Sequence, residues 1–180
     1  MDRDGVVVRS EIRDNKPYAV RKLKDFRLLP GATKSIIQLK SLGFLIVVVT
    51  NQPDIENGLV PAAMVEEMHQ KLRQKLAIDD IKLCPHNSHA FCSCRKPEPG
   101  MLLEAAGDHE IDISNSYMIG DRLSDVQAGL RAGCHCIFID RRYAETKGRE
   151  VGTELVATSL PDAVRKLIAH KSELLRQDAI

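Results

Sequence analysis

The sequence predicts an α/β protein built on a Rossmann-like, mostly parallel sheet with helices on both faces. Three observations carry that prediction. Residues 44–49 form an apolar, largely β-branched run with no polar face, which suits a parallel strand buried on both sides. Segments with apolar residues at helical spacing alternate along the chain with short strand-like runs. The polar clusters Thr50, Asn51, Gln52 and Gly120, Asp121, Arg122 each follow a strand directly, where open parallel sheets bind their ligands.

Each element has its own local reason. Residues 32–42 carry apolar positions at helical spacing, and Gly43 follows as a cap. Pro61 opens a helix over 61–76 with Met64, Val65, Met68, Leu72 and Leu76 on one face. Residues 81–83 read as a short strand, 101–109 as a helix and 117–119 as a strand. Residues 123–132 form a helix that Gly133 ends. Residues 136–139 are the next strand, 155–156 a shorter one, and a closing helix begins at Leu160.

Composition bounds the function. A chain of 180 residues without repeat, low-complexity tract or Gly/Ser linker reads as one domain, 1–180, and 43% hydrophobic residues suffice for a core. Lys and Arg number 26 against 25 Asp and Glu, and there are three Tyr, four Phe and no Trp. This balance leaves little for tracking phosphates or stacking bases, so nucleic acid is not expected as a partner. No run approaches the ~18–20 apolar residues of a membrane span, and no apolar leader follows Met1. The expectation is a cytoplasmic monomer. In that reducing compartment five cysteines point to metal binding or core packing before disulfides.

The chemistry concentrates in a few strings. Asp2 and Asp4 flank Arg3 and precede Gly5, and on an extended strand end residues i and i+2 share a face. Such a string also occurs in surface turns and becomes informative only with its companions. These are Thr50 and Asn51 after one strand, Lys96 between Arg95 and Pro97, and Asp121 and Asp125 after another strand. Together they supply what cleavage of a phosphate monoester through an aspartyl-phosphate needs. One carboxylate attacks phosphorus, and a second protonates the leaving alcohol and then takes a proton from water. A divalent cation, a lysine and hydroxyl or backbone donors offset the repulsion between carboxylate and phosphate. Mg²⁺ suits an oxygen-only site.

The order Asp-x-Asp-Gly, strand-Thr-Asn, Lys-Pro and Gly-Asp-x-x-x-Asp resembles the haloacid dehalogenase (HAD) phosphatase superfamily, over residues 2 to about 140. The resemblance implies Asp2 as nucleophile, Asp4 as general acid and base, and Thr50 with Lys96 as the grip on the phosphoryl group. It implies Mg²⁺ held by the Asp2 carboxylate, the Asp4 carbonyl and Asp121. Asp125 stays open between a site role and charging the first turn of a helix.

Cys84 and His86, followed by Cys92 and Cys94, place four soft or borderline ligands within eleven residues of polar loop. This matches a tetrahedral structural Zn²⁺ site. His89 reads as exposed, and Cys134 and Cys136 as buried thiols. A zinc loop running straight into Arg95, Lys96 and Pro97 is similar to a small HAD branch without a large cap. That branch includes heptose-bisphosphate phosphatases and the histidinol-phosphate phosphatase domain. The resemblance puts Asn51, Gln52, Arg95 and Arg122 against the substrate, with Arg95, Arg122 and Arg13 available to a second phosphate. Residues 9–18 depart from the branch's substrate loop, and Glu11 or Asp14 would suit the cationic histidinol phosphate. The strings 25–31 and 97–102 favour the heptose bisphosphate. A Mg²⁺-dependent sugar-phosphate phosphatase is therefore expected, with a histidinol-phosphate phosphatase or a catalytically impaired zinc-stabilised scaffold as alternatives. Only Met1 precedes Asp2, so the central first strand is expected to be missing and the natural start to lie upstream.

Overall fold

The computed structural model describes residues 1–89, 91–147, 152–153 and 155–177. Two strands, β1 (Glu11–Arg13) and β2 (Lys16–Tyr18), pair antiparallel ahead of helix α1 (Ala32–Ser41). The chain then alternates through β3 (Val47–Asn51), α2 (Ala62–Lys75), β4 (Asp80–Cys84), α3 (Gly100–Asp108), β5 (Tyr117–Gly120), α4 (Leu123–Ala132), β6 (His135–Ile139), β7 (Val156–Ala157) and α5 (Leu160–Gln177). The α/β fold with parallel sheets is as the sequence predicts.

The parallel strands fall into two groups, β3 with β4 and β5 with β6 and β7. Residues 1 and 2 tie the groups together. The Met1 ammonium donates to the Val47 carbonyl at 2.8 Å, and the Val49 N–H donates to the Met1 carbonyl at 2.9 Å. On the other side the Asp2 N–H donates to the Ile119 carbonyl at 2.9 Å. Met1 and Asp2 thus lie between β3 and β5, bonded to both. Below them Phe44, Val47 and Tyr117 line an apolar cavity of about 90 Å³. This geometry explains a boundary difference. Residues 44–46 read as strand in the sequence, yet β3 begins at Val47. Ile46 instead donates its N–H to the Asp79 carboxylate at 2.7 Å.

Side-chain alternation along each strand builds two cores. Val48, Ile119, Ile137 and Ile139 pack with Ile36 of α1, Met68 and Leu72 of α2 and Leu167 of α5. Val49, Met118, Cys136 and Phe138 face the other way, against Met101 of α3 and Val126 of α4. Cys134 and Cys136 are buried thiols, as their neighbours in sequence predict. The β1–β2 hairpin was not expected. Its signal is the two-residue loop Asp14 and Asn15, both at positive φ (49° and 57°), between the paired Arg13 and Lys16. Asp and Asn tolerate that conformation, and a two-residue loop with φ > 0 at both positions matches the twist of the strands it joins.

Helix α4 packs closely on the sheet because position 129 has no side chain. A Cβ on Gly129 would sit 2.6 Å from Cys136 Sγ and 2.7 Å from Met118 Cβ, whereas one on Gly107 of α3 meets nothing within 4 Å. Gly107→Ala is therefore expected to raise stability by about 0.5–1 kcal/mol through helix propensity and unfolded-state entropy. Gly129→Ala is expected to lower it by roughly 1–3 kcal/mol through overpacking. Urea unfolding of the two variants checks both signs.

Candidate active site

Four segments meet at the carboxyl ends of the central strands. They are residues 2–5, the Thr50 and Asn51 end of β3, the loop carrying Arg95 and Lys96, and the turn from β5 through Asp121 into α4. They border a cavity of about 840 Å³ whose lining includes Asp2, Asp4, Thr50, Lys96, Arg122 and Asp125. Lys96 lies at the centre, 4% exposed. Its ammonium donates to Asp2 Oδ1 at 2.5 Å and to the Val49 carbonyl at 2.8 Å, and lies 2.6 Å from Asp125 Oδ1. Burial by itself would discharge this lysine, but the Asp125 and Asp2 carboxylates outweigh it and hold the ammonium above its ordinary range.

The carboxylates outnumber that cation. Asp2, Asp121 and Asp125 are all buried, and one oxygen from each lies within 4.8 Å of the others. Burial, with Asp125 and Asp4 nearby, pushes Asp2 up to about 6 despite Lys96. Burial and the charges of Asp2 and Asp125 likewise push Asp121 well above its usual value. Asp121 Oδ2 accepts from the Tyr143 hydroxyl at 2.8 Å, while its Oδ1 is buried with no protein partner among the described residues. An all-oxygen cluster with one orphaned buried oxygen and surplus negative charge fits a hard divalent cation. Gly5 makes the cluster sterically feasible: it sits at φ +85°, and a Cβ there would lie 1.7 Å from Asp121 Oδ2.

Asp125 touches both the start of α4 and the cavity lysine. Its Oδ2 accepts from the N–H groups of Asp121 and Arg122 at 3.1 and 3.0 Å, capping α4, while Oδ1 faces Lys96. Asn51 borders the cavity, but its amide clamps the Lys96 backbone reciprocally, at 3.0 and 3.1 Å. Gln52 departs from expectation. It is 3% exposed and absent from the cavity wall, and its amide bridges Asp4 Oδ2 at 2.9 Å and Thr50 Oγ1 at 2.8 Å. The reason is its partners: Asp4 and Thr50 themselves line the cavity, and the Gln52 amide is spent on them from behind. Arg95 lines the cavity while donating to the His86 carbonyl at 2.8 Å. Arg122 also lines it, with a two-point ion pair to Glu145 at 2.8 and 2.6 Å. Arg13 does not. Its guanidinium pairs with Glu11 and lies over the Tyr18 ring. Lys16, from the hairpin, stands on the wall instead, a position legible only once the hairpin is recognised.

Next to the cavity, Cys84, His86, Cys92 and Cys94 converge. The Cys84 sulfur lies 3.8 Å from that of Cys92 and 3.0 Å from that of Cys94, and Cys92 and Cys94 are 3.5 Å apart. His86 Nδ1 is 3.6 and 3.3 Å from the sulfurs of Cys84 and Cys94. Four-coordinate metal–thiolate bonds of about 2.3 Å place sulfurs roughly 3.8 Å apart, so the set fits one tetrahedral ion after small adjustments.

Comparison with known proteins agrees with this geometry. A family model described as HAD-hydrolase-like matches residues 93–163. A Pseudomonas putida protein named D-glycero-beta-D-manno-heptose-1,7-bisphosphate 7-phosphatase is 33% identical, over 93% of this chain and 97% of its own length. The chain belongs to the HAD-like hydrolase family. A Mycobacterium tuberculosis relative, named as the phosphatase of the alpha anomer, is 38% identical over 71% of this chain and 68% of its own. The crystal structure of the Bordetella bronchiseptica D,D-heptose 1,7-bisphosphate phosphatase, complexed with magnesium and phosphate, superposes with a TM-score of 0.80. It is 31% identical, over 94% of this chain and 96% of that one. As a HAD phosphatase the chain is a phosphoric monoester hydrolase. Among the described residues no helix is long and apolar enough to cross a membrane.

One buried group behind the site titrates oppositely to a surface histidine. Burial first, then the charges of Arg3 and Arg73, push His69 from 6.5 down to about 3. The unfolded chain therefore binds a proton between pH 6.5 and 3 that the folded chain refuses. This penalty is absent above pH 6.5 and grows as the pH falls. In His69→Gln it disappears. The stability difference between wild type and His69→Gln should shift in the variant's favour below pH 6.5, by at most about 1.4 kcal/mol per pH unit. Denaturant melts from pH 7 to 4 check this.

Proposed function

We propose that this chain hydrolyses the 7-phosphate of a heptose 1,7-bisphosphate through an aspartyl-phosphate on Asp2. The observation that carries the reading is the buried Asp2 carboxylate, which lines the cavity and is held by Lys96, with Asp4 on the same wall and its Oδ1 without a hydrogen bond among the described residues. Two relatives named for this substrate and a matching structure that bears magnesium and phosphate support it.

In this reading the phosphoryl group enters the cavity between Asp2, Thr50 and Lys96. Thr50 accepts its hydrogen bond from Gln52, so its own hydroxyl proton remains available to a phosphate oxygen. Lys96 neutralises charge on the transferring group while holding the nucleophile in place. Asp4 protonates the departing alcohol and then takes a proton from the attacking water. Asp2, the Asp4 carbonyl and Asp121 would hold Mg²⁺, which when bound offsets the repulsion between carboxylate and phosphate. Asp2→Asn should abolish phosphate release, since the nucleophile is lost while its shape is kept.

The second phosphate favours a bisphosphate over histidinol phosphate. Lys16 and Arg95 both line the cavity, and Arg95 spends one of its donors on the His86 carbonyl. Asp54, which also lines the cavity, is already paired with Arg21 at 2.7 Å and offers a cationic amine less free charge. Phosphate release measured side by side from both heptose 1,7-bisphosphate anomers, histidinol phosphate and simple sugar phosphates tests the assignment. The bisphosphate is expected to lead. Lys16→Ala should narrow its advantage over a monophosphate by about tenfold, the worth of one charge-assisted contact. A preference for histidinol phosphate would contradict the reading.

Cys84, His86, Cys92 and Cys94 are assigned a structural Zn²⁺, with magnesium confined to the oxygen cluster. The metal-bound loop presents Arg95 and Lys96 to the cavity. One zinc per chain is expected by elemental analysis. Chelation or Cys92→Ser should lower the melting temperature and the activity together, and added Mg²⁺ should restore neither.

A further inference from the structure

The Asp4 carboxylate is held asymmetrically. Arg3 Nε donates to Oδ2 at 3.0 Å, and Gln52 donates to the same oxygen at 2.9 Å. Arg3 Nη2 lies 2.9 Å from it as an ion-pair contact, without the alignment of a hydrogen bond. Oδ1 takes no hydrogen bond among the described residues, although it is buried within a side chain on the cavity wall.

Arg3 is an unusual residue to find wholly buried. It is 0% exposed and lies 5.5 Å from the Phe26 ring centroid. Its last nitrogen, Nη1, meets Nε2 of His69 at 3.0 Å. A guanidinium carries only donors, so Nε2 must be the unprotonated, accepting nitrogen. His69 lies on α2, 2% exposed, and burial keeps its ring neutral. Among the described residues the acid within ion-pair distance of it is Glu66, at 4.0 Å from Nδ1. Filling this space with a buried cation and an imidazole costs more desolvation than an apolar pair would. The expense makes sense if the guanidinium must hold one orientation.

We infer that His69, acting through Arg3, is a positioning residue for proton transfer at Asp4. The chain His69–Arg3–Asp4 pins Oδ2 and leaves Oδ1 as the oxygen that moves the proton. In the first step the bond from phosphorus to the alcohol oxygen breaks as the Asp2–phosphorus bond forms, and the proton on Oδ1 passes to that oxygen. In the second, water adds to phosphorus, the Asp2–phosphorus bond breaks, and the proton from water returns to Oδ1. The inference rests on the phosphatase reading above.

Leaving-group dependence separates positioning from mere packing. A sugar alkoxide needs the proton from Asp4, whereas p-nitrophenolate leaves without it. His69→Leu, which removes the acceptor, should lower kcat on the sugar phosphate by about 10–100-fold with KM nearly unchanged. Its kcat/KM on p-nitrophenyl phosphate, which reports only the steps through formation of the aspartyl-phosphate, should fall only about threefold or less, on the same grounds. His69→Gln, whose amide oxygen can accept from Arg3, should recover most of the loss. Should His69→Leu not fold, Arg3→Lys, which keeps the charge but loses the fork, is expected to show the same split. Equal losses of kcat/KM on both substrates, or unchanged sugar-phosphate turnover in folded His69→Leu, would overturn the inference. A wild type active on both substrates with no such split in the variants leaves the phosphatase reading standing and sinks only this one. A wild type inactive on both sinks the two together.

Discussion

The Lys96 ammonium, buried between Asp2 and Asp125 with the Val49 carbonyl as a third acceptor, is the contact on which the arrangement depends. It joins three segments remote in sequence: the amino-terminal residues, the end of β3 and the start of α4. An ammonium in such surroundings is tolerable only because two carboxylates share it, and those carboxylates are tolerable only because it is there. The balance is still incomplete. Asp121, whose Oδ1 has no protein partner among the described residues, leaves negative charge uncompensated, and this is what makes the cluster a site for a cation and an anionic substrate rather than a finished ion pair.

The rest of the fold serves to bring these groups to one edge. The parallel strands end together, so Thr50, Gly120 and the residue-2 backbone arrive at one level. Asp125 ties the helix end to the lysine, and the Asn51 amide ties the Lys96 backbone to β3. The cysteine cluster converges within the same loop, where Arg95 is braced against the His86 carbonyl. Rigid positioning of few groups is what phosphoryl transfer asks of a protein.

Much of this was legible in the sequence. A run such as 44–49 has no amphipathic reading, so a buried parallel strand was the economical one, and the polar residues after each strand then marked the ligand edge. Metal-ligand spacing is local, and for that reason the Cys84, His86, Cys92 and Cys94 set could be read directly. Roles set by tertiary neighbours could not. Gln52 looked like a pocket residue because it follows Thr50, but its amide is taken up by Asp4 and Thr50. Arg3 looked like a spacer between two aspartates, and its partner His69 is 66 residues away. Arg13 and Lys16 exchanged places because a hairpin two residues long at its turn decides which of them faces the cavity.

Asp2 is proposed to carry the phosphoryl group while Asp4 handles the protons, and one experiment reads both at once. With p-nitrophenyl phosphate, Asp4→Asn should still transfer the phosphoryl group to Asp2 but hydrolyse it slowly, because water lacks its base. Acid quench and mass spectrometry should then find one phosphoryl group on the amino-terminal peptide, after a burst of one p-nitrophenol per chain. No burst and no phosphorylated peptide from a folded, Mg²⁺-supplied Asp4→Asn would contradict the account.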